Sequence, residues 1–263
     1  MKTRNRICLR LAVLALAASA ASPSLADQLI MKNGQVMEAK SIRYRVSSQE
    51  YIVITPDNTT VPVKAALVER AVTPKPANLD ALAAGILSKP EAAIAPLEAI
   101  INENAGLDWD NVARDLLGQA LVAKKDAKKA VSVYKDIFDN MAPERVPLQW
   151  RRHYWDALKN AEMFAVLKAD LDKVIAAGSR DTAALAQLMR GDMYKAQGQK
   201  TEALYDYLRT VVLYEKTAEL QPEAIFKSAE LLEELRDPRA AEMKKKLIQE
   251  YGSSPYAKKA AGG

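Results

Sequence analysis

The residues best suited to chemistry lie around His153, the single histidine of the chain. It stands between Trp150 and Trp155 in a segment of aromatic and basic residues. An imidazole in this setting could act as a general base, or could stack on a ligand beside an aromatic wall. The alternative is that the aromatic side chains pack the interior and His153 lies at its rim. Because no nucleophile motif stands beside it, the sequence favours the second interpretation and assigns no reaction.

The other polar residues form no recognised catalytic or metal-binding pattern. Carboxylates are scattered over helical segments, where they are typical of solvated helix faces, and none belongs to an aspartate-rich metal loop. The ten glycines never cluster into a phosphate-binding loop. The single cysteine, Cys8, leaves no thiolate for a metal site elsewhere. The sequence predicts a non-enzymatic protein with no metal ion and no cofactor, and a hydrolase using scattered carboxylates is a further hypothesis.

Two lysine-rich runs, at 124–129 and 244–246, could contact an anionic surface such as lipid head groups or cell-wall polymer. The sequence favours the plainer interpretation, solvated turns and helix faces. The whole chain has a formal net charge of +5, but residues 1–26 contain four bases and no acid, which leaves residues 27–263 at +1. A general nucleic-acid binder needs a net basic surface, so we predict no nucleic-acid partner.

Residues 1–26 are typical of a secretory signal peptide. A basic start precedes an apolar run at 11–21, which is too short to span a bilayer as a helix. The small-x-small sequence Ser-Leu-Ala then predicts cleavage after Ala26. No later run approaches 18 apolar residues, so we expect no integral membrane segment. The sequence thus predicts an exported protein, which would be periplasmic in a double-membrane bacterium.

Residues 27–73 have the composition and alternation of short β-strands. Asn33-Gly34 is a strong hairpin signal and predicts a type I′ turn. Four or five short strands in so short a segment can bury a core only by curling, so we predict a small all-β, barrel-like module. Arg43 and Arg45 share one side of a strand. They form either a basic face for an acidic ligand or the solvated outer face of a half-buried sheet.

This segment resembles the small SH3-like barrels at the front of some exported bacterial proteins. The resemblance rests on the opening Asp-x-Leu-x-Met-Lys-Asn-Gly at 27–34 and on the number of strands. Residues 74–77 form a linker, because Pro74 and Pro76 favour extended backbone and end both strands and helices. We predict a separate helical domain at 78–263.

The helical domain repeats with a period of 36 to 37 residues. In three units a small residue is followed by an alanine 12 positions later; the pairs are Gly118 with Ala130, Gly191 with Ala203 and Ser228 with Ala240. A tyrosine follows the alanine by four positions in two units, as Tyr134 and Tyr207, and Tyr194 follows Gly191 by three. The spacing predicts helix pairs with close crossings at the small residues.

This pattern resembles the tetratricopeptide repeat (TPR), a helix–turn–helix unit with Leu-Gly-x-x-Tyr on its first helix and Ala-x-x-x-Phe on its second. Several positions depart from the family. The early tryptophan is missing, Arg190 and Lys227 replace the leucine, and Lys244 replaces the aromatic residue. The unit within 141–178 lacks the small residues, and its sequence predicts helices at 155–160 and 164–175.

The resemblance implies an α-solenoid of four to five helix pairs, so the predicted fold class is α+β and multidomain. Such solenoids bind peptides or proteins in a groove formed by the first helix of each pair. Carried over residue by residue, the groove positions of the family fall on Gln119, Asp192 and Lys195.

The end of the chain, at 251–260, is similar to bacterial envelope repeat proteins in which one helix ends in Tyr-Pro-x-Ser and the next begins Pro-x-Ala. Here Gly252 replaces the usual proline. We therefore expect an exported scaffold or adaptor that binds a protein or peptide partner in the cell envelope. The alternative is a cell-wall or glycan-binding protein that uses the β module, with the repeats as a spacer. The sequence leaves the oligomeric state open.

Overall fold

The computed structural model describes residues 27–262, and the predicted signal peptide lies outside them. The chain divides into two compact units between Pro74 and Lys75. In the described residues the first unit is built of strands and the second of helices, with short 3-10 turns at Ala65–Leu67 and Pro143–Arg145. The α+β class predicted from the sequence is therefore confirmed.

Six strands form the first unit from residue 27 onward, against the four or five predicted. They are β1 (Asp27–Met31), β2 (Val36–Ala39), β3 (Ser41–Arg45), β4 (Glu50–Ile54), β5 (Thr60–Lys64) and β6 (Val68–Val72). Antiparallel pairing produces two three-stranded sheets, with the orders β2-β1-β6 and β3-β4-β5. Lys40 alone separates β2 from β3, so one stretch of chain passes from the first sheet into the second.

Buried apolar residues come from both sheets, including Leu29 of β1, Ile42 of β3 and Val53 of β4. The Asp27 carboxylate accepts a hydrogen bond of 3.0 Å from the backbone N–H of Ile42, which ties β1 to β3. Burial raises the pKa of Asp27, and this hydrogen bond offsets part of the rise.

Asn33 and Gly34 form the predicted hairpin between β1 and β2, but the turn is not of type I′. That type needs positive φ at both residues, and only Gly34 has it, at +84°. The Gly34 N–H donates to the Met31 carbonyl, and the Met31 N–H donates to the Gln35 carbonyl. The loop is therefore a type I turn followed by one left-handed residue. Asn58, with φ of 68°, takes the equivalent position between β4 and β5.

Eleven helices form the second unit within the described residues. They are α1 (Leu79–Gly85), α2 (Pro90–Glu103), α3 (Trp109–Ala123), α4 (Ala127–Asn140), α5 (Leu148–Asn160), α6 (Phe164–Ala177), α7 (Arg180–Ala196), α8 (Lys200–Leu213), α9 (Gln221–Glu234), α10 (Arg239–Tyr251) and α11 (Pro255–Ala260). Each helix packs against the next one along the chain, as expected for a stack of helix pairs.

The middle of the stack differs from the sequence prediction at one helix. The helix predicted at 155–160 begins seven residues earlier, at Leu148, directly after Pro147. Two adjacent basic residues, Arg151 and Arg152, interrupt the apolar pattern in the first turns of this helix. The sequence pattern therefore did not show where the helix begins. Because α5 is this long, His153 and Trp155 belong to the same helix.

Candidate partner-binding face

The odd-numbered helices approach one another along the helical stack. The closest approaches between alternate helices join α3 to α5, α5 to α7 and α9 to α11. We name the side that these helices share the inner face, because the TPR resemblance predicts a groove on the first helix of each pair.

Two tyrosines pack directly onto glycines of the neighbouring helix. A Cβ atom added at Gly118 of α3 would lie less than 3.0 Å from the ring of Tyr134 on α4. Gly191 of α7 stands in the same relation to Tyr207 of α8. Both rings are fully buried, so each pair of helices crosses at a point where only glycine fits.

The other repeat-defining residues also lie inside or at the margin of the core. Ala130 and Ala203 have no exposed surface, and Ala240 is nearly buried. Ser228 is fully buried, and its hydroxyl donates to a carbonyl one turn earlier in α9 at 2.8 Å. Tyr194 is half-buried against the larger of the two helical cores. These residues pack helices together and are not exposed to a partner.

Gln119 belongs to a hydrogen-bonded cluster that joins α3 to α5. Its side-chain amide donates to one carboxylate oxygen of Asp115 at 2.9 Å. The other oxygen of Asp115 lies 2.7 Å from Nδ1 of His153, and Nε2 of His153 lies 2.8 Å from the side-chain nitrogen of Gln149. Asp115 is buried, but Gln119 is partly exposed and Gln149 is exposed. The cluster therefore presents amide groups on the inner face.

Asp192 belongs to an ion network between α7 and α9. Both of its carboxylate oxygens lie 2.7 Å from Nζ of Lys227, and one also accepts a hydrogen bond from the Tyr207 hydroxyl at 2.7 Å. Burial raises the pKa of Tyr207, and the charge of Asp192 raises it further. The carboxylate of Asp192 is therefore already bound by Lys227 and Tyr207 of its own chain.

Glu223 extends this network to α5. It pairs with Lys227 at 2.7 Å and with Arg152, which lies two helix pairs away in the stack. Burial alone would raise the pKa of Glu223, but the hydrogen bond from Arg152 and the charge of Lys227 outweigh burial and lower that pKa to about 2. The carboxylate is therefore ionised at neutral pH and holds α5 and α9 together.

Lys195 is more open than Asp192. Its side chain is 38 % exposed, and the nearest carboxylates, of Glu230 and Glu234, lie 3.8 Å away. Together with Lys159 of α5 it borders an open depression of about 350 Å³. Of the three residues predicted to line a groove, Gln119 and Lys195 thus reach the surface of the inner face, and Asp192 contributes mainly to its internal support.

The aromatic segment around His153 divides between core and rim. Trp155 is fully buried, and its indole N–H donates to Asp170 at 2.6 Å. Trp150 packs against the core formed by the first helices. The His153 side chain is 19 % exposed. This is the arrangement of the second interpretation, in which the aromatic residues fill the interior.

In the two lysine-rich runs, Lys129, Lys244 and Lys246 form ion pairs. Lys129 lies 3.2 Å from Glu98, and Lys244 lies 2.7 Å from Glu233. Within residues 27–262 no group of three or more histidine, cysteine or acidic side chains is arranged to hold a metal ion. In the same part of the chain no helix is both long enough and apolar enough to cross a bilayer.

The prediction of a solvated helix face was wrong for Glu223, which is buried, and sequence reasoning missed Asp115 and Arg152 as members of the inner face. Asp115 and Gln119 are four residues apart, a spacing that places them on one helix face and could have linked them. The contacts of Asp115 with His153 and of Arg152 with Glu223 span 38 and 71 residues of sequence. A single sequence carries no signal for pairs at such separations.

No protein-family model matches the chain, no curated protein is significantly similar to it, and no solved structure matches it.

Proposed function

We propose that the protein is an exported, non-enzymatic scaffold or adaptor of the cell envelope. In this proposal the helical unit is a TPR-like solenoid, and the β unit is a small SH3-like barrel module. The inner face of the odd-numbered helices binds a protein or peptide partner. In a double-membrane bacterium the protein would act in the periplasm.

One observation carries this proposal: the same helix-pair contact recurs along the stack. Gly118 against Tyr134 and Gly191 against Tyr207 are 73 residues apart, which is twice the length of one repeat. Repeated helix pairs with such crossings build extended, curved surfaces. Surfaces of that kind support recognition of an extended partner better than an enclosed reaction chamber.

The chemistry of the inner face suits an extended peptide. The amides of Gln119 and Gln149 can each donate and accept hydrogen bonds, and a peptide backbone offers both kinds of group. Lys195, Lys159 and Asp192 border the depression between α5 and α7, where charges of both signs are available at the surface. A partner could therefore form backbone hydrogen bonds near α3 and ion pairs near α7.

The experiment that tests the proposal is in-cell photocrosslinking from single positions, followed by mass spectrometry. A photoreactive residue replaces Gln119 or Lys195 on the inner face. Matched controls carry it at Ser132 of α4 and Lys173 of α6, which are exposed on even-numbered helices. We expect both inner positions to capture the same partner and both outer positions to miss it. Equal capture from all four positions, or no capture, would contradict the proposal.

A second candidate, wall or glycan binding by the β unit, is favoured by one observation. Arg43 and Arg45 are exposed and form no ion pair within the described residues. Co-sedimentation of the chain with purified cell wall tests this role. Pelleting that is lost when both arginines are replaced would support it, and an unbound chain would reject it.

A further inference from the structure

The outer face of the β3–β4–β5 sheet concentrates cations that lack a partner. Arg43 and Arg45 are exposed on β3, and Lys64 is exposed on β5. Among the described residues these three side chains form neither an ion pair nor a side-chain hydrogen bond. The positive charge on this sheet is therefore open to an external anion.

One carboxylate belongs to the three strands, and it does not neutralise the face. Glu50 of β4 stands opposite Arg45 on one side and Lys64 on the other. With three cations and one anion the face keeps a surplus of positive charge. The chain from residue 27 onward is nearly neutral as a whole, so this surplus is a local feature of the sheet.

Exposed apolar side chains lie among these cations. In the strand register Ile52 stands between Arg43 and Pro62, and Ile54 lies at the neighbouring outward position of β4. Ile54 is 36 % exposed, and Pro62 is exposed as well. Because alternate residues of a strand face the same side, these apolar residues share the outer face with the arginines. Ile52 and Ile54 line a shallow depression of about 430 Å³ together with Arg43 and Arg45.

We propose that this face docks onto an anionic phospholipid surface. A guanidinium binds a phosphate through two parallel hydrogen bonds, and each Arg or Lys at an anionic bilayer strengthens attachment. Exposed isoleucine and proline side chains leave water when they contact the region between head groups and acyl chains, which favours binding. A soluble acidic polymer would satisfy Arg43 and Arg45 but would leave Ile54 and Pro62 in water. The combination of charge and apolar surface on one sheet therefore favours lipid.

The docking face is separate from the inner face of the helices, so the two proposals can fail independently. The inner face would bind a partner, and the sheet would place the protein at a membrane surface. If the protein crosslinks to a partner through Gln119 but does not bind vesicles, the membrane-docking proposal alone is overturned. A chain that binds vesicles without crosslinking would overturn the adaptor proposal alone.

The test is flotation of residues 27–263 with vesicles of phosphatidylglycerol and phosphatidylcholine, compared with pure phosphatidylcholine vesicles. We expect binding to the anionic vesicles alone, weakened by added salt. Replacing both arginines, R43Q/R45Q, removes two charges from the face and should lower the partition coefficient about thirty-fold. The variant Ile54→Ser should lower it by a smaller factor with no change in charge.

The matched control is R70Q/R236Q, which removes two exposed arginines that lie elsewhere and lack an ion pair within the described residues. It should stay within about twofold of the parent, because its charges are outside the docking face. An equal loss in both double variants would show attraction by net charge and overturn the proposal. Unchanged binding of R43Q/R45Q would overturn it too, as would binding to purified wall or polyglutamate in place of vesicles. Circular dichroism confirms that each variant is folded.

Discussion

The ring of Tyr207 fills the space that a side chain at Gly191 would need. The hydroxyl of the same ring donates to Asp192, the residue next to that glycine, at 2.7 Å. The tyrosine thus fixes the distance between α7 and α8 by shape and their alignment by a hydrogen bond. Tyr134 does the same between α3 and α4, where its hydroxyl donates to the Asp115 carbonyl at 3.1 Å.

We expect Gly191→Ala to destabilise the helical unit although alanine favours helix. The added methyl group would overlap the Tyr207 ring, and overpacking of this kind costs about 1–3 kcal/mol, more than the roughly 1 kcal/mol of helix propensity gained. Urea unfolding followed by circular dichroism should show a lower midpoint.

Gly85 provides the matched control for this substitution. It lies in α1 with nothing within 4 Å of an added Cβ atom, so Gly85→Ala should leave the midpoint unchanged or raise it. If Gly191→Ala and Gly85→Ala behaved alike, the close crossing at Gly191 would not limit stability.

The small-to-large contacts could be predicted from the sequence because they recur. A pattern visible in one chain links a glycine or serine to an alanine 12 positions later, and in the two glycine units a tyrosine follows four positions beyond the alanine. The turn at Asn33 and Gly34 was predicted in place but not in type. Two residues signal a hairpin, whereas the turn type depends on how the flanking strands pair.

Glu223 should make the stability of the helical unit depend on pH in the acid range. Its folded pKa of about 2 lies below the ordinary value of 4.5. The stabilisation is therefore fully present above pH 4.5 and is lost as the pH falls from 4.5 towards 2. We expect Glu223→Gln to cost roughly 3 kcal/mol at pH 7, because Arg152 and Lys227 lose a buried partner. The cost should shrink markedly near pH 2.5, and urea midpoints at both pH values measure it.

Glu230 is the control for this charge change, since it lies on the same helix with its side chain 41 % exposed. Glu230→Gln should alter the free energy of unfolding by less than about 1 kcal/mol at either pH. A cost of Glu223→Gln that stayed constant from pH 7 to pH 2.5 would contradict the assigned pKa shift.

Arg190 stands where the tetratricopeptide pattern has leucine, and it binds a buried carboxylate. Its guanidinium holds the buried Asp206 of α8 through bonds of 2.7 and 3.0 Å, and it also reaches Asp172 of α6 at 2.6 Å. A leucine at position 190 would leave Asp206 with the Gln187 amide and the half-exposed Arg209 as its remaining side-chain partners. The sequence reveals the replacement of leucine, but the carboxylate that requires it lies 16 residues away on another helix.

Arg190→Leu should therefore destabilise the chain by about 3–5 kcal/mol, although it introduces the leucine of the tetratricopeptide pattern. The double variant R190L/D206L should recover part of that loss, because no buried charge is left unpaired and only the buried Gln187 amide loses its partner. Arg209→Leu removes a half-exposed partner of the same aspartate and should cost far less. A double-mutant cycle in urea measures the coupling, and strictly additive losses would refute it.

His153 offers a direct report on the inner face because it gives the single imidazole signal of the chain. The contact of Nδ1 with Asp115 predicts that Nδ1 carries the proton, which leaves Nε2 to accept a hydrogen bond from Gln149. Nitrogen-15 spectra of the neutral imidazole should show this tautomer. Asp115→Asn should shift the population towards the other tautomer and loosen the contact between α3 and α5. Gln149→Ala should preserve the tautomer, because the bond to Asp115 remains.

The same signal also tests partner binding. A peptide bound along α3 and α5 would contact Gln119 and Gln149, whose amides enclose the Asp115–His153 pair. Adding a partner captured by crosslinking should therefore move the His153 resonance in the parent chain, and Gln119→Ala should weaken that response. A partner that binds with full affinity and leaves the resonance unmoved would place the binding surface elsewhere on the helical unit.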